Sequence, residues 1–315
     1  MSRARTSSDI WWARILDRLD ELLHNYPKLP KEPLAENNLP FKIGSKITIE
    51  NYNTFLHHYG SRGYKFRFQL NSDNRTGEVF IIDMASPLHE NIVSRLQEFF
   101  KVPNNGVVDE PPINVSGQPF HYVPGGNGIK EAPDVSVSPD IAIVPRPAVS
   151  TIIPRPPADT DGNPHARIMC EIAVGQSTGE LKQKCRSWMR EPYVRAVVGI
   201  KILEPRLGVR EPVTGYFFRT MTAKLYRQGM PNQRWDFGNV RKNTRDPLLN
   251  INDPALCNAP NDPRFQIDIP ISDVFWDPPF PVPINYIPII PTNVAGNVFS
   301  IDLYRIQRIA LRSRI

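Results

Sequence analysis

The segment ARIMCEIAV, residues 166–174, constrains this chain more than any other: it is an apolar run of strand length with a glutamate, Glu171, near its centre. Glutamate is almost never fully buried without a partner. Such a strand must therefore deliver its carboxylate to an ion pair, a metal or a reaction. Directly after it, Ser177 and Glu180 have the S-x-x-E spacing of a capping box and predict a helix through TGELKQKCRSWM. The run VRAVVGIKIL that follows reads as a buried strand.

The preceding residues extend this pattern. KITIENYNTFLHHYG reads as a short strand leading into a helix, and YKFRFQL, the polar turn NSDNRTG and EVFIIDM read as a hairpin. Ser86 stands before Pro87, a helix start with proline in first position, and Leu88, Ile92, Leu96 and Phe99 carry helical spacing to about Lys101. Residues 102–130 are rich in proline and glycine; their PGGNG stretch lacks the Lys-Ser/Thr pair of a phosphate-binding loop and is read as a turn. APDVSVSPDIAIVPRP then reads as one strand. Strand, strand, helix, strand is the order of an α/β domain, with a mixed central sheet flanked by helices expected.

At the N-terminus, DIWWARILDRLDELLH has apolar residues near helical spacing and predicts an amphipathic helix over 9–24, followed by a proline-rich linker ending near Ser45. The chain has 33 prolines in 315 residues, about twice the usual share of around 5 %. Many of them fall beyond Glu204, where short strands, Asp-Pro steps and a basic helix-like segment, SIDLYRIQRIALRSRI, suggest an appended region. The expected organisation is therefore 1–45 helix and linker, 46–205 catalytic-type domain and 206–315 proline-rich C-terminal extension. The appendages are expected to pack on the core or to mediate homodimerisation.

Cys170, Cys185 and Cys257 show no C-x-x-C spacing and form no zinc pattern with the six histidines, which points to free thiols in a reducing, intracellular setting. No apolar run approaches the ~20 residues needed to span a bilayer. The net charge of +6 suits an anionic partner such as nucleic acid.

A metal-dependent phosphodiester hydrolase needs carboxylates on neighbouring strands for a hard divalent cation, and a protein cation near the attacking water. Asp134 and Asp140 begin the two halves of one predicted strand, Glu171 lies in the next, and Lys184 is one helix further on. Convergence at one sheet edge is expected. Each has a plainer role available: Glu171 in a structural pair, either aspartate as a turn cap, and Lys184 in a helical ion pair with Glu180. Glu180 suits the capping box, and Trp188 the core.

These segments resemble the Uma-type restriction endonuclease family, a branch of the PD-(D/E)XK nucleases, over about half the chain. The resemblance rests on ITIENYNTFL as the opening helix, GEVFIIDMASPLHENIVSRLQEFF as hairpin strand and His-containing helix, PDVSVSPDIAIV as the PD strand, and EIAVGQSTGELKQKCRSW as glutamate strand and helix. The last is the most specific, with Glu171, Ser177, Glu180, Lys184 and Trp188 in the family's places. The resemblance implies a restriction-endonuclease-like PD-(D/E)XK core and a Mg²⁺- or Mn²⁺-dependent DNA endonuclease. It makes Glu171 a metal ligand, one of Asp134 and Asp140 the other, and Lys184 the lysine that orients or activates water. His89 and Glu90 match the His-containing helix. The sequence departs from the family at Glu171-Ile172-Ala173, where Glu-x-Lys is usual, and in YKFRFQL, where Lys65 and Arg67 stand in place of an acid. The alternative is a nuclease fold that binds nucleic acid or a protein without cutting.

Overall fold

The computed structural model describes residues 26–32, 34–35, 38–60, 63–125, 127–144, 158–242, 256–279 and 282–312. The helix expected over 9–24 lies outside them. The chain divides into two compact units, Met1–Met84 with Asn127–Ile129, and Ala85–Gly126 with Lys130–Ile315.

In the first unit, β1 (Phe41–Thr48) leads into α1 (Ile49–Tyr59), followed by the hairpin of β2 (Tyr64–Leu70) and β3 (Thr76–Met84). The sheet order is β1-β3-β2, antiparallel throughout. Thr48 caps α1 by accepting from the Asn51 backbone N–H. Asp73 closes the hairpin turn, accepting from the backbone of Arg75 and Thr76 and from the Thr76 hydroxyl. Aromatic packing holds helix to sheet: the Phe55 ring lies 4.9 Å from that of Phe66 and 5.8 Å from that of Tyr26.

The second unit begins with α2 (Pro87–Lys101), capped by Ser86 with proline in its first turn. Then follow β4 (Ile113–Ser116), β5 (Val135–Pro139), β6 (Ile168–Ala173), α3 (Thr178–Trp188), β7 (Ala196–Ile202), β8 (Thr220–Arg227), β9 (Gln233–Gly238), β10 (Gln266–Pro270), β11 (Val298–Asp302) and α4 (Leu303–Arg312). Strands β4 to β9 form one six-stranded mixed sheet in chain order. Only β6 and β7 run parallel, and α3 makes the crossover that a parallel pair requires.

Alternation sorts the side chains onto two faces. Cys170 and Ile172 of β6, Val198 and Ile200 of β7, and Ala223 and Leu225 of β8 join residues of α2, β10, β11 and α4 in the larger core. Met169 and Ala173 of β6 and Val197 of β7 pack with Leu181, Cys185 and Trp188 of α3 in the other. Helix α3 sits close to β7 because Gly199 has no side chain: a Cβ there would lie 2.8 Å from the Cys185 sulfur.

Several expectations are corrected. Among the described residues the first strand begins at Phe41, so the linker does not run to Ser45. The hairpin groups with the N-terminal unit rather than with the domain carrying Glu171, so the boundary falls at 84/85 instead of 45/46. Residues 206–315 are no extension: they supply β8 and β9 to the main sheet and β10, β11 and α4 to its core. The strand read through DIAIV stops at Pro139, because Asp140 folds its side chain onto the Ala142 backbone N–H and turns the chain. A short strand, β4, also stands inside the proline- and glycine-rich region 102–130, pinned by Asn104, which donates to the Ile113 carbonyl at 2.8 Å and accepts from its N–H at 3.1 Å.

Candidate functional site

Helix α3 aims two side chains at Glu171. The Ser177 hydroxyl accepts from the Glu180 N–H, and the Glu180 carboxylate accepts from the Ser177 N–H, each at 3.2 Å. Both halves of the capping box form, fixing the start of the helix. Four residues apart, Lys184 and Trp188 then share a face. The Trp188 Nε1–H donates to Glu171 Oε1 at 2.7 Å, and Lys184 Nζ lies 3.1 Å from Oε2. Lys184 also donates to the Ala132 carbonyl at 2.9 Å and lies 3.8 Å from Glu131 Oε1. Glu171 is wholly buried and Lys184 nearly so.

Asp134 directly precedes β5, whose Val135 is opposed to Cys170, so it meets the middle of β6. Its Oδ2 accepts from the Ile172 N–H at 2.6 Å, and its own N–H donates to the Cys170 carbonyl at 3.0 Å. Its Oδ1 lies 3.4 Å from Nε2 of His89, in the first turn of α2. His89 Nδ1 is 2.9 Å from Glu90 Oε1; a carboxylate only accepts, so this nitrogen carries the hydrogen. Burial, followed by the charges of Glu171 and Asp134, pushes the Cys170 thiol well above its usual range, so this cysteine is a packing residue and no nucleophile.

Glu171, Lys184 and Trp188 are thus brought together, while Asp134, at the start of the neighbouring strand, is bonded to the Ile172 N–H next to Glu171, with His89 beside it. Asp140 is not part of this group. It ends β5 where Asp134 begins it, about 20 Å away at ~3.3 Å per residue, and its carboxylate accepts from the Ala142 N–H and from Asn114 Nδ2. The expected convergence of both aspartates is therefore corrected: the strand puts them at opposite ends. Trp188, assigned to the core from the sequence, donates directly to Glu171, and His89, matched to the His-containing helix, faces Asp134 at 3.4 Å.

A second group has no sequence signature. His121 and His165 are buried with ring centroids 4.5 Å apart, and the His121 ring lies 6.1 Å from that of Trp188. His121 Nδ1 contacts the Pro119 carbonyl at 2.9 Å, His165 Nδ1 the Ala166 carbonyl at 2.7 Å. Burial lowers the pKa of both rings, opposed at His121 by Pro119 and Asp159; the proximity of His121 lowers His165 further. Buried Arg167 donates to the carbonyls of His165 and Trp276, and burial brings its guanidinium down to about 10.

Among the described residues, no group of three or more His, Cys, Asp or Glu side chains is placed to hold a metal ion. The donors at Asp134 and Glu171 nevertheless suit magnesium, which keeps several waters and commonly takes one or two carboxylates together with substrate phosphate. No helix among the described residues is long and apolar enough to cross a membrane. No known family model matches the chain, and neither does any curated protein.

The surroundings of Glu171 set a stability test. Lys184→Met keeps the aliphatic stem but leaves the Glu171 carboxylate buried without its cation, which should cost about 3–5 kcal/mol in urea unfolding. Glu171→Gln in the same chain should restore part of that loss. The histidines give a pH dependence: with folded pKa values depressed below 6.5, the unfolded chain binds more protons as pH falls past that value, and stability is lost. Unfolding at pH 7.5 and 5.5 should show a decline of up to about 1.4 kcal/mol per pH unit per histidine, flattened in the His121→Gln/His165→Gln protein.

Proposed function

We propose that this chain is a divalent-metal-dependent DNA endonuclease with a PD-(D/E)XK-type core, whose centre is Asp134, Glu171 and Lys184. The observation that carries the reading is the pairing of a buried strand carboxylate with the ammonium of the crossover helix, Lys184 Nζ being 3.1 Å from Glu171 Oε2, while a second buried carboxylate, Asp134 on the adjacent strand, accepts from the N–H of the next residue, Ile172. A purely structural pair would not need a second carboxylate beside it.

Asp134 and Glu171 would hold Mg²⁺ or Mn²⁺, which supplies an acidified water and offsets charge at phosphorus. Lys184, tethered by the Ala132 carbonyl, presents its ammonium beside Glu171 and donates a hydrogen bond to the attacking water or to a phosphate oxygen. Trp188 fixes the rotamer of Glu171 through Nε1. His89 Nε2 faces Asp134 Oδ1 at 3.4 Å. In the reaction water adds to phosphorus, one bridging P–O bond breaks, the proton of the attacking water leaves to solvent, and the departing oxygen takes a proton from solvent.

One observation favours the non-cutting alternative: both Glu171 oxygens already have protein donors, and the cluster is buried. Incubation with supercoiled plasmid in Mg²⁺, Mn²⁺ or EDTA separates the two. The endonuclease nicks only with metal, loses nicking at least 100-fold in Asp134→Asn and Glu171→Gln, on the order expected for losing an electrostatic stabiliser, and retains it in Asp140→Asn. A folded wild-type protein that leaves the plasmid intact with either metal is the binding module instead.

A further inference from the structure

The row of sheet residues that contains Glu171 continues away from it as a line of positive charge. Glu171 is in register with Gly199, Gly199 with Lys224, and Lys224 with Arg234. Register partners project to the same face of a sheet, so all four belong to the face that α3 covers. Helix α3 crosses the row where Gly199 lacks a side chain, and it exposes Lys182 and Arg186 beside Lys224. Lys242 joins at the far side, its Nζ 3.3 Å from Thr222 Oγ1.

This gathering of charge is poorly compensated. Among the described residues, its ion pairs run to Asp236, which is paired to Arg234 at 3.0 Å and lies 3.6 Å from Lys242. Burial, and then the charges of Arg234, Lys182, Lys242 and Arg186, lower the pKa of the Lys224 ammonium. Like charges held together at some cost to stability need an anion to relieve them.

We propose that Lys182, Arg186, Lys224, Arg234 and Lys242 form a phosphate-tracking surface for the backbone of duplex DNA, leading to the Asp134–Glu171 centre. The substrate in this inference rests on the nuclease reading above. Three inter-strand steps of ~4.8 Å put Arg234 about 14 Å from Glu171, close to the ~12 Å width of a B-DNA major groove. A backbone at the carboxylates therefore places the facing strand over Lys224 and Arg234. The residues between the cations on this face, Thr222 and Asp236, are polar. That argues for nucleic acid over a lipid surface, which an interfacial site enters with apolar side chains.

The test is fluorescence anisotropy of a labelled 20-base-pair duplex in EDTA over a range of salt, with full-length protein. Lys224→Glu/Arg234→Glu should weaken binding at least tenfold and reduce the salt slope by about 2, at roughly 0.9 for each phosphate no longer neutralised. The control Arg95→Glu/Lys101→Glu makes the same charge change on α2, which packs on the opposite face of the sheet, and should shift affinity far less. Equal effects of the two pairs, or binding to phosphatidylserine vesicles without binding to DNA, would overturn the surface. EDTA keeps this result independent of cutting. Loss of binding in the first pair alongside a wild type that never nicks plasmid leaves the surface standing and removes the nuclease; nicking by a wild type whose DNA affinity ignores Lys224 and Arg234 does the reverse.

Discussion

A carboxylate in the middle of a fully buried strand is the feature around which the second unit is arranged. Moving an ion of that size into a low-dielectric interior costs several kcal/mol even after relaxation. Glu171 tolerates it because α3 brings an ammonium to one oxygen and an indole N–H to the other. Both donors depend on the helix starting at the right residue, which the reciprocal Ser177–Glu180 bonds secure, and on the helix lying close to β7, which Gly199 permits. The parallel β6/β7 pair, the crossover and the site are consequences of one packing arrangement. Stability alone gives little reason for an ion pair at such a position, since apolar residues of similar volume often serve as well or better. In the proposed reading, the second carboxylate, Asp134, on the neighbouring strand is what gives the position a chemical purpose.

Much of this arrangement was legible in the sequence because it is written in local signals. The capping box, the Ser86-Pro87 helix start and the glutamate in its apolar strand all depend on residues within a few positions of one another. The two aspartates were different. Asp134 and Asp140 are separated by an even number of residues, so a period of two puts them on the same face and cannot rank them. Only the register of Val135 against Cys170 selects Asp134. The histidine pair was invisible for a related reason: His121 and His165 are 44 positions apart in sequence, and nothing local announces that their rings meet edge to face.

The C-terminal third misled through its prolines. Proline removes a backbone donor and disfavours regular elements, so a region dense in it reads as an appendage. In the structure most of those prolines occupy connections, while TMTAKLYR places Met221, Ala223 and Leu225 in the core and Thr222 and Lys224 on the other face. Strand β8 covers the edge that β7 would otherwise leave open, and β9 extends the sheet once more. The same two strands carry Lys224 and Arg234, so the region that looked detached supplies two of the side chains of the proposed phosphate-tracking surface.

The central claim is that Asp134 and Glu171 hold a divalent cation, and Mn²⁺ titration followed by electron paramagnetic resonance tests it without relying on cleavage. The account predicts one bound Mn²⁺ per wild-type chain, displaced by excess Mg²⁺ and absent from an Asp134→Asn protein that retains its circular dichroism spectrum. A wild-type chain that leaves all Mn²⁺ free, or an Asp134→Asn chain that binds it equally well, would contradict the account.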